Sequence, residues 1–335
     1  MSGLMLLVVL AAGGQVDLPQ ARAVSPEKQV PRMQVLPLPR GEASVEREGR
    51  EISRYHFGPE LYRPFLYPLI GPSGKSLTRM GHPRDPNGHS HHNSVWISHH
   101  DVGGVGFWND ASSSKGRIVH RRVNRYEDAD DEALIEVTNA WIETNGEGGG
   151  RTLLEETRTM RFQPGERWQW LLVLDVVLSA PQEPVTLGKT NFGLVGVRMA
   201  KTIGVHDGGG TIRNSEGAVN EPQVHEKPAR WCDYSGPIAF EVPPGPPLNR
   251  PPSMAGITLL DHPLNPNHPT VFHVRDDGWM GAALTFDAPR TIEPGSPLKL
   301  RYGLWVHSGV PSAGQIDADF GEFAKIGDPP PPTKK

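Results

Sequence analysis

Three stretches in the middle of the chain restrict its fold more than any other feature: Ala133 to Thr144 (ALIEVTNAWIET), Arg151 to Phe162 (RTLLEETRTMRF) and Arg167 to Leu178 (RWQWLLVLDVVL). Apolar residues recur in them at every second place. That is the period of a strand with one face on a core, and not the three-to-four spacing of a helix. Asn145-Gly146 and the glycines 148 to 150 separate the first pair, and Pro164-Gly165 the second. Long strands joined by tight turns make an antiparallel meander. Period two also marks Glu51 to Phe57, Gly116 to Val123, Phe192 to Met199, Val271 to Val274, Gly281 to Phe286 and Leu298 to His307. Leu61 to Pro68 shares it, with prolines that favour an edge or bulged position. Helical spacing is nearly absent, the weak exception lying near Gln315 to Ile326.

The 38 glycines and 34 prolines among 335 residues follow no collagen-like period, so they fit many turns between short strands. No internal repeat of roughly 20 to 50 residues supports a propeller or solenoid. The reading is an all-β chain, a large antiparallel β-sandwich running as a single domain from Pro31 to Gly327. Val242 to Pro252 (VPPGPPLNRPP) reads as a loop within it, and residues 328 to 335 as a flexible tail.

Charge and cysteine content remove several classes of function. A net charge of −4 from 34 basic and 38 acidic residues, with no Lys/Arg tract, offers nucleic acid no long-range attraction. Cys232 is the only cysteine, so an internal disulfide and a cysteine-based zinc cluster are both impossible. Its place in the apolar alternation around Trp231 favours a packed, inert thiol. Leu4 to Ala12 (LMLLVVLAA) has the length of a signal-peptide apolar region and is followed by Ala21-Arg22-Ala23, although no basic residue precedes it. Residues 1 to 23 therefore read as a cleaved export signal, which places the mature chain in the periplasm or outside the cell. The run falls short of the about 20 apolar residues of a membrane span, and no later stretch reaches that length. No P-loop, dinucleotide fingerprint, HExxH or Gly-x-Ser-x-Gly elbow is present.

Chemistry concentrates in four polar stretches. His82 to Trp108 holds six histidines (His82, His89, His91, His92, His99 and His100) together with Asp85, Asn87, Asn93 and Asp101. Histidine can ligate a metal, or act as acid or base near neutral pH because its ordinary pKa is about 6.5. If the segment is extended, His89 and His91 share one side and His92 takes the other. Gly188 to Arg198 (GKTNFGLVGVR) brings Lys189, a candidate to polarise a substrate hydroxyl or stabilise an oxyanion. Asn214 to Gly217 and Trp231 to Gly236 supply Glu216 as a hydroxyl ligand and Trp231 or Tyr234 as a platform for a sugar ring. Asp261 to Arg275 carries Asn265 and a proline-held His268, with His273 in the strand that follows.

Five motifs in order carry a resemblance: YRPFLYPLIGPSG from Tyr62 to Gly74, HSHHNSVW from His89 to Trp96, NSEG from Asn214, RWCDYSGP from Arg230 and DHPLNPNHP from Asp261. Together they resemble the bacterial PmoA-family proteins, a domain of unknown function often labelled methane oxygenase, over roughly Pro31 to Ser308. That family usually reads Asp-His-Pro-His-His-Arg-Ser-Leu-Trp at the histidines. This chain keeps the three histidines and Trp96, and has Gly88, Ser90, Asn93 and Val95 in place of the acid, proline, arginine and leucine. A membrane methane monooxygenase subunit needs several apolar spans, which the mature chain lacks, so methane oxidation is excluded. The strand pattern is similar to the supersandwich of galactose-mutarotase-like proteins, which implies sugar binding and acid/base work by histidines and carboxylates.

The expected function is thus a secreted carbohydrate-active enzyme of epimerase, lyase or hydrolase type acting on a small-molecule or glycan substrate. His91, His92 and His268 are its candidate acid and base, and His89, Lys189, Glu216, Trp231, Tyr234 and Asn265 its candidate substrate ligands. The cofactor is either none or a divalent metal ion, for which His89, His91 and His268 are the candidate ligands. A non-catalytic glycan-binding module is the alternative of another class.

Overall fold

A computed structural model describes residues 29–81, 89–111, 113–145, 150–238 and 253–327. The chain divides after Val30, and the fold below belongs to the unit that begins at Pro31. The expected export signal, the expected 242–252 loop and terminal tail, and His82, Asp85, Asn87 and Gly88 lie outside the described residues.

The strands begin with Met33–Leu38 (β1), Glu42–Arg47 (β2), Arg50–His56 (β3), Phe65–Leu69 (β4) and Val95–Ser98 (β5). The expected meander follows as Gly116–Asp128 (β6), Ala133–Thr144 (β7), Gly150–Pro164 (β8) and Trp170–Ser179 (β9). Next come Val185–Leu187 (β10), Leu194–Arg198 (β11), Thr211–Asn214 (β12), Lys227–Pro228 (β13) and Trp231–Pro237 (β14). Met254–Asp261 (β15), Val271–Arg275 (β16), Trp279–Ala283 (β17), Arg290–Ile292 (β18) and Leu298–Ser308 (β19) complete the set. Neighbouring strands run antiparallel throughout the described residues.

Two large sheets result. One has nine strands in the order β1-β2-β3-β4-β5-β11-β17-β16-β13, the other eight in the order β12-β14-β15-β19-β9-β8-β7-β6, and β10 pairs with β18 separately. Alternate residues of both, such as Val95, Ile97, Phe272 and Val274 from the first and Leu172, Leu174, Ile257 and Leu304 from the second, share one buried cluster. The chain is therefore a large antiparallel β-sandwich, and each sheet keeps an outward face of its own.

The outward face of the eight-stranded sheet is covered by the helix Ala313–Phe323, where the sequence shows its one helical period. Ser312 starts the helix in a capping box with Gln315. Ile316, Phe320 and Phe323 bury against Val173, Trp231 and Leu260 of the sheet. This second buried face explains why Leu171 to Leu174 is apolar without interruption. The odd residues face the helix while Leu172 and Leu174 face the shared core.

Candidate functional site

The outward face of the nine-stranded sheet carries the site. Strand pairing lines up Phe65, Trp96, Gly196, Gly281 and His273 in one row across β4, β5, β11, β17 and β16. Two residues along, the same face presents Arg198, Trp279 and Arg275. The two glycines make the bed for an indole. A Cβ on Gly196 or Gly281 would come within 2.8 or 2.7 Å of the Trp279 ring. Trp279 lies there with Trp96 and Trp108 at centroid distances of 5.4 and 5.6 Å, and Phe65 completes the aromatic cluster. Loops close over this floor to leave a pocket of about 360 Å³, walled by Trp108, Phe192 and Trp279 and by His89, His91 and His273.

The histidine run is a turn, and this corrects the extended geometry expected from parity. The His92 N–H donates to the His89 carbonyl at 3.1 Å, so all three imidazoles converge. His89 stacks on His92 at 4.5 Å, His91 stands edge-on to His92 at 4.7 Å, and His92 also contacts Trp96 and Trp279. Buried Arg63 fastens this turn to the opposite wall. One of its terminal nitrogens donates to the His91 carbonyl (3.1 Å) and Asn93 Oδ1 (2.6 Å), the other to the carbonyls of Phe107 (3.1 Å) and Trp108 (2.6 Å). Burial lowers the Arg63 guanidinium to about 10. Burial, with Arg63 beside it, pushes His91 down to about 4, and burial next to Arg198 drives His92 far below the ordinary imidazole range. Both rings are neutral at pH 7 and able to exchange roles as hydrogen-bond donor or acceptor.

Asp277 organises the third side. It sits in the turn between β16 and β17, where Gly278 takes a φ of +96°. Its carboxylate receives both terminal nitrogens of Arg198, at 2.7 and 3.0 Å, and faces His89 Nδ1 at 3.2 Å. Arg198 Nη2 is also 3.4 Å from His89 Nδ1, but the carboxylate is nearer and can only accept, so the Nδ1 proton points to Asp277. His89 Nε2 is then left with the lone pair. Burial works to raise the Asp277 carboxyl, yet the hydrogen bonds from His89 and Arg198 outweigh it and hold it well below the usual carboxylate range. The turn is anchored from behind: Tyr234 Oη donates to the Asp276 carbonyl at 3.0 Å, and the Asp276 N–H donates to Glu221 Oε2 at 2.7 Å.

The fourth side joins Asn191, His225, Glu226, His273 and Arg275. Asn191 Nδ2 donates to Glu226 Oε1 at 3.1 Å, and Arg275 Nη1 reaches Glu221 Oε1 at 2.8 Å and His225 Nε2 at 3.0 Å. Trp279 Nε1 donates to His273 Nδ1 at 2.6 Å. Burial, then the neighbouring His225 and Arg275, lowers His273 to about 3.

With this geometry in place, comparison with known proteins supplies one firm result. Residues 42–321 match the family of unknown function DUF6807. The chain belongs to that family. The family's description carries no activity and no PmoA label. No curated protein matches the sequence. Among solved structures, the GalM/aldose epimerase homologue from C. elegans is similar at 8% identity with a TM-score of 0.30, over 84% of this chain and 99% of that one. At that score the likeness carries no functional argument for this DUF6807 member.

The sandwich brings together only part of the residue set expected from the sequence. His89, His91 and His92 line the pocket, and the second and fourth polar stretches reach it through Asn191, Phe192, His273 and Arg275. His268, Asn265 and Trp231 do not. Trp231 lies in β14, and His268 and Asn265 lie in the loop between β15 and β16, packed towards the end of β15 and the covering helix. His268 Nδ1 lies 2.7 Å from Asp261 Oδ2 and its ring stacks on Phe320, Asn265 bonds Asp261 and the Arg301 backbone, and Trp231 Nε1 donates to Asp317. A composite of His91 or His92 with His268, catalytic or metal-binding, is therefore not formed. Tyr234 is a core residue that holds the Asp276 turn, and offers no face to a sugar. Lys189 is exposed at the strand end, and Glu216 bonds Ser215 in a surface turn; neither lines the pocket. His99 is structural, bonded to the Asp101 carbonyl and Thr285.

Sequence reasoning missed Arg63, Arg198, Asp277, His225 and Trp279 as site residues. The one local signal for Asp277 was Asp276-Asp277-Gly278 between two alternating runs, which reads only as a hairpin turn.

Proposed function

We propose that this protein is an enzyme acting on a sugar or a closely related polyhydroxylated small molecule by histidine acid/base chemistry. The observation that carries the reading is the Asp277–His89 pair, 3.2 Å apart, on the wall of an aromatic pocket. A carboxylate on Nδ1 fixes the ring's orientation and tautomer and stabilises the imidazolium that forms when Nε2 takes a proton. His91 and His92 add neutral imidazoles beside it, and Trp108, Phe192 and Trp279 offer apolar walls to the C–H faces of a sugar ring. The metal-dependent version that takes His268 as the third ligand beside His89 and His91 lacks support, because His268 stacks on Phe320 of the helix that covers the other sheet.

The test is NMR of the purified protein in D2O with a panel of neutral aldoses, uronic acids and short glycosides. Deuterium uptake at carbon, a changed anomer ratio rate, an unsaturated product or a released alcohol identifies the reaction. His89→Gln and Asp277→Asn are each expected to lower the rate by about 10²-fold or more, the scale of a lost general base. Unchanged rates in both variants sink the assignment. Saturable sugar binding with no turnover in the wild type replaces it with a glycan-binding module.

A further inference from the structure

His225, Glu226 and His273 each offer a ligand atom, and these atoms lie within 4.8 Å of one another, a spacing that a metal ion can bridge. Hydrogen-bond polarity points elsewhere. Indole Nε1 can only donate, and that of Trp279 stands 2.6 Å from His273 Nδ1, so Nδ1 holds the ring's single lone pair and the proton is on Nε2. A metal-bound histidine has the reverse arrangement, with its second nitrogen donating to a carboxylate or carbonyl. For His273 Nε2 to take a metal, two N–H groups would have to face each other at 2.6 Å or Trp279 would have to leave its bed. That ring is 3% exposed and lies over Gly196 and Gly281, where not even a methyl group fits. His225 is occupied in a different way: its Nε2 accepts from the guanidinium of Arg275 at 3.0 Å, which places a fixed positive charge beside the atom a cation would need, with Glu226 Oε1 at 3.5 Å.

We propose that His273 is a catalytic residue of this pocket, a neutral imidazole whose Nε2–H binds the substrate oxygen on which negative charge develops. The proposal rests on the acid/base reading of the pocket and extends it to a substrate class, a hydroxy-carbonyl compound such as an open-chain sugar. His89 and His273 line the same cavity with opposite tautomers, a lone pair on one Nε2 and a proton on the other. His89 Nε2 takes the proton from the carbon next to the carbonyl. The C–H electron pair becomes the C=C bond of an enediolate, and the carbonyl π pair moves to the oxygen that His273 holds. Return of the proton from His89 to that carbon, or to its neighbour after an O–H shift, gives the epimer or the isomer. No oxidant or cofactor enters the balance. A neutral donor suits this role because it stabilises the oxyanion without first having to lose a proton, and burial keeps it neutral.

Three measurements test it, two of them independent of turnover. Long-range 1H–15N NMR of histidine-labelled wild-type protein is expected to show His273 as the Nε2–H tautomer, unchanged between pH 8 and about pH 5; an Nδ1–H or titrating ring overturns the proposal. Calorimetric titration of the wild type with Zn2+ alone is expected to show no stoichiometric site that His273→Ala abolishes; such a site overturns it. On the substrate found by the D2O screen, His273→Phe is expected to lower kcat about 10²-fold with KM little changed, and His273→Gln, which keeps a donor, to recover part of the loss. Equal losses in both variants overturn the catalytic role. A screen without turnover counts against the acid/base reading, while the tautomer and Zn2+ results still decide the state of His273.

Discussion

At the scale of single residues, the pocket depends on groups that never touch its contents. Arg63 is the clearest case. Its four hydrogen bonds run to acceptors on two loops, residues 91–93 and 107–108. Replacing it by alanine takes a donor from all four: the Phe107 carbonyl keeps Ser98 Oγ, whereas the Trp108 carbonyl loses its 2.6 Å donor in a buried place, a loss of about 1–3 kcal/mol before relaxation. We expect Arg63→Ala to destabilise the protein by roughly 2–4 kcal/mol in urea unfolding, with Arg63→Lys recovering only part, since an ammonium cannot reproduce the planar fork. A change within ~0.5 kcal/mol of wild type, the range of ordinary surface substitutions, would remove Arg63 from this role.

Elements account for what could be read in advance and what could not. The strands β7, β8 and β9 and the capped helix were legible because each is specified by its own alternation or period. The neighbour order β4-β5-β11-β17-β16 was not, since it joins segments far apart in the chain and no local pattern says which strand pairs with which. The row Trp96, Gly196, Gly281, His273 exists only through that order. Density made His89 to His92 visible, whereas the prolines around His268 signalled a rigid loop that serves Asp261 instead. The register itself can be probed. Gly281→Val places its Cβ at 2.7 Å from Trp279 and 2.9 Å from the Val195 carbonyl, so either the indole or the strand must move. The expected result is a loss of about 1–3 kcal/mol, the usual range for overpacking, with a changed near-UV circular dichroism spectrum. A variant with the wild-type spectrum and stability would contradict the row.

For the whole molecule, burial of neutral imidazoles sets the response to acid. His91, His99 and His273 are pushed by burial from the ordinary 6.5 to about 4, 4 and 3, and His92 moves the same way. Between 6.5 and those values the unfolded chain binds more protons than the folded one. Stability is therefore complete above about pH 6.5 and declines as pH falls, by at most about 1.4 kcal/mol per pH unit for each histidine. Asp277, whose folded value is depressed, adds stability above the ordinary carboxylate range that is lost only at lower pH. The urea midpoint is expected to drop clearly from pH 7.5 to pH 5, before most carboxylates titrate; a flat profile over that interval would refute it. The two outward faces of the sandwich have a consequence for descent as well. The side chains that hold the sheets together point inward, whereas those of the pocket stand on the other side of the same strands or on loops between them. Lineages carrying this sandwich can therefore exchange residues 89–93, 108–109 and 191–192 and diverge in what they recognise while inheriting one core unchanged.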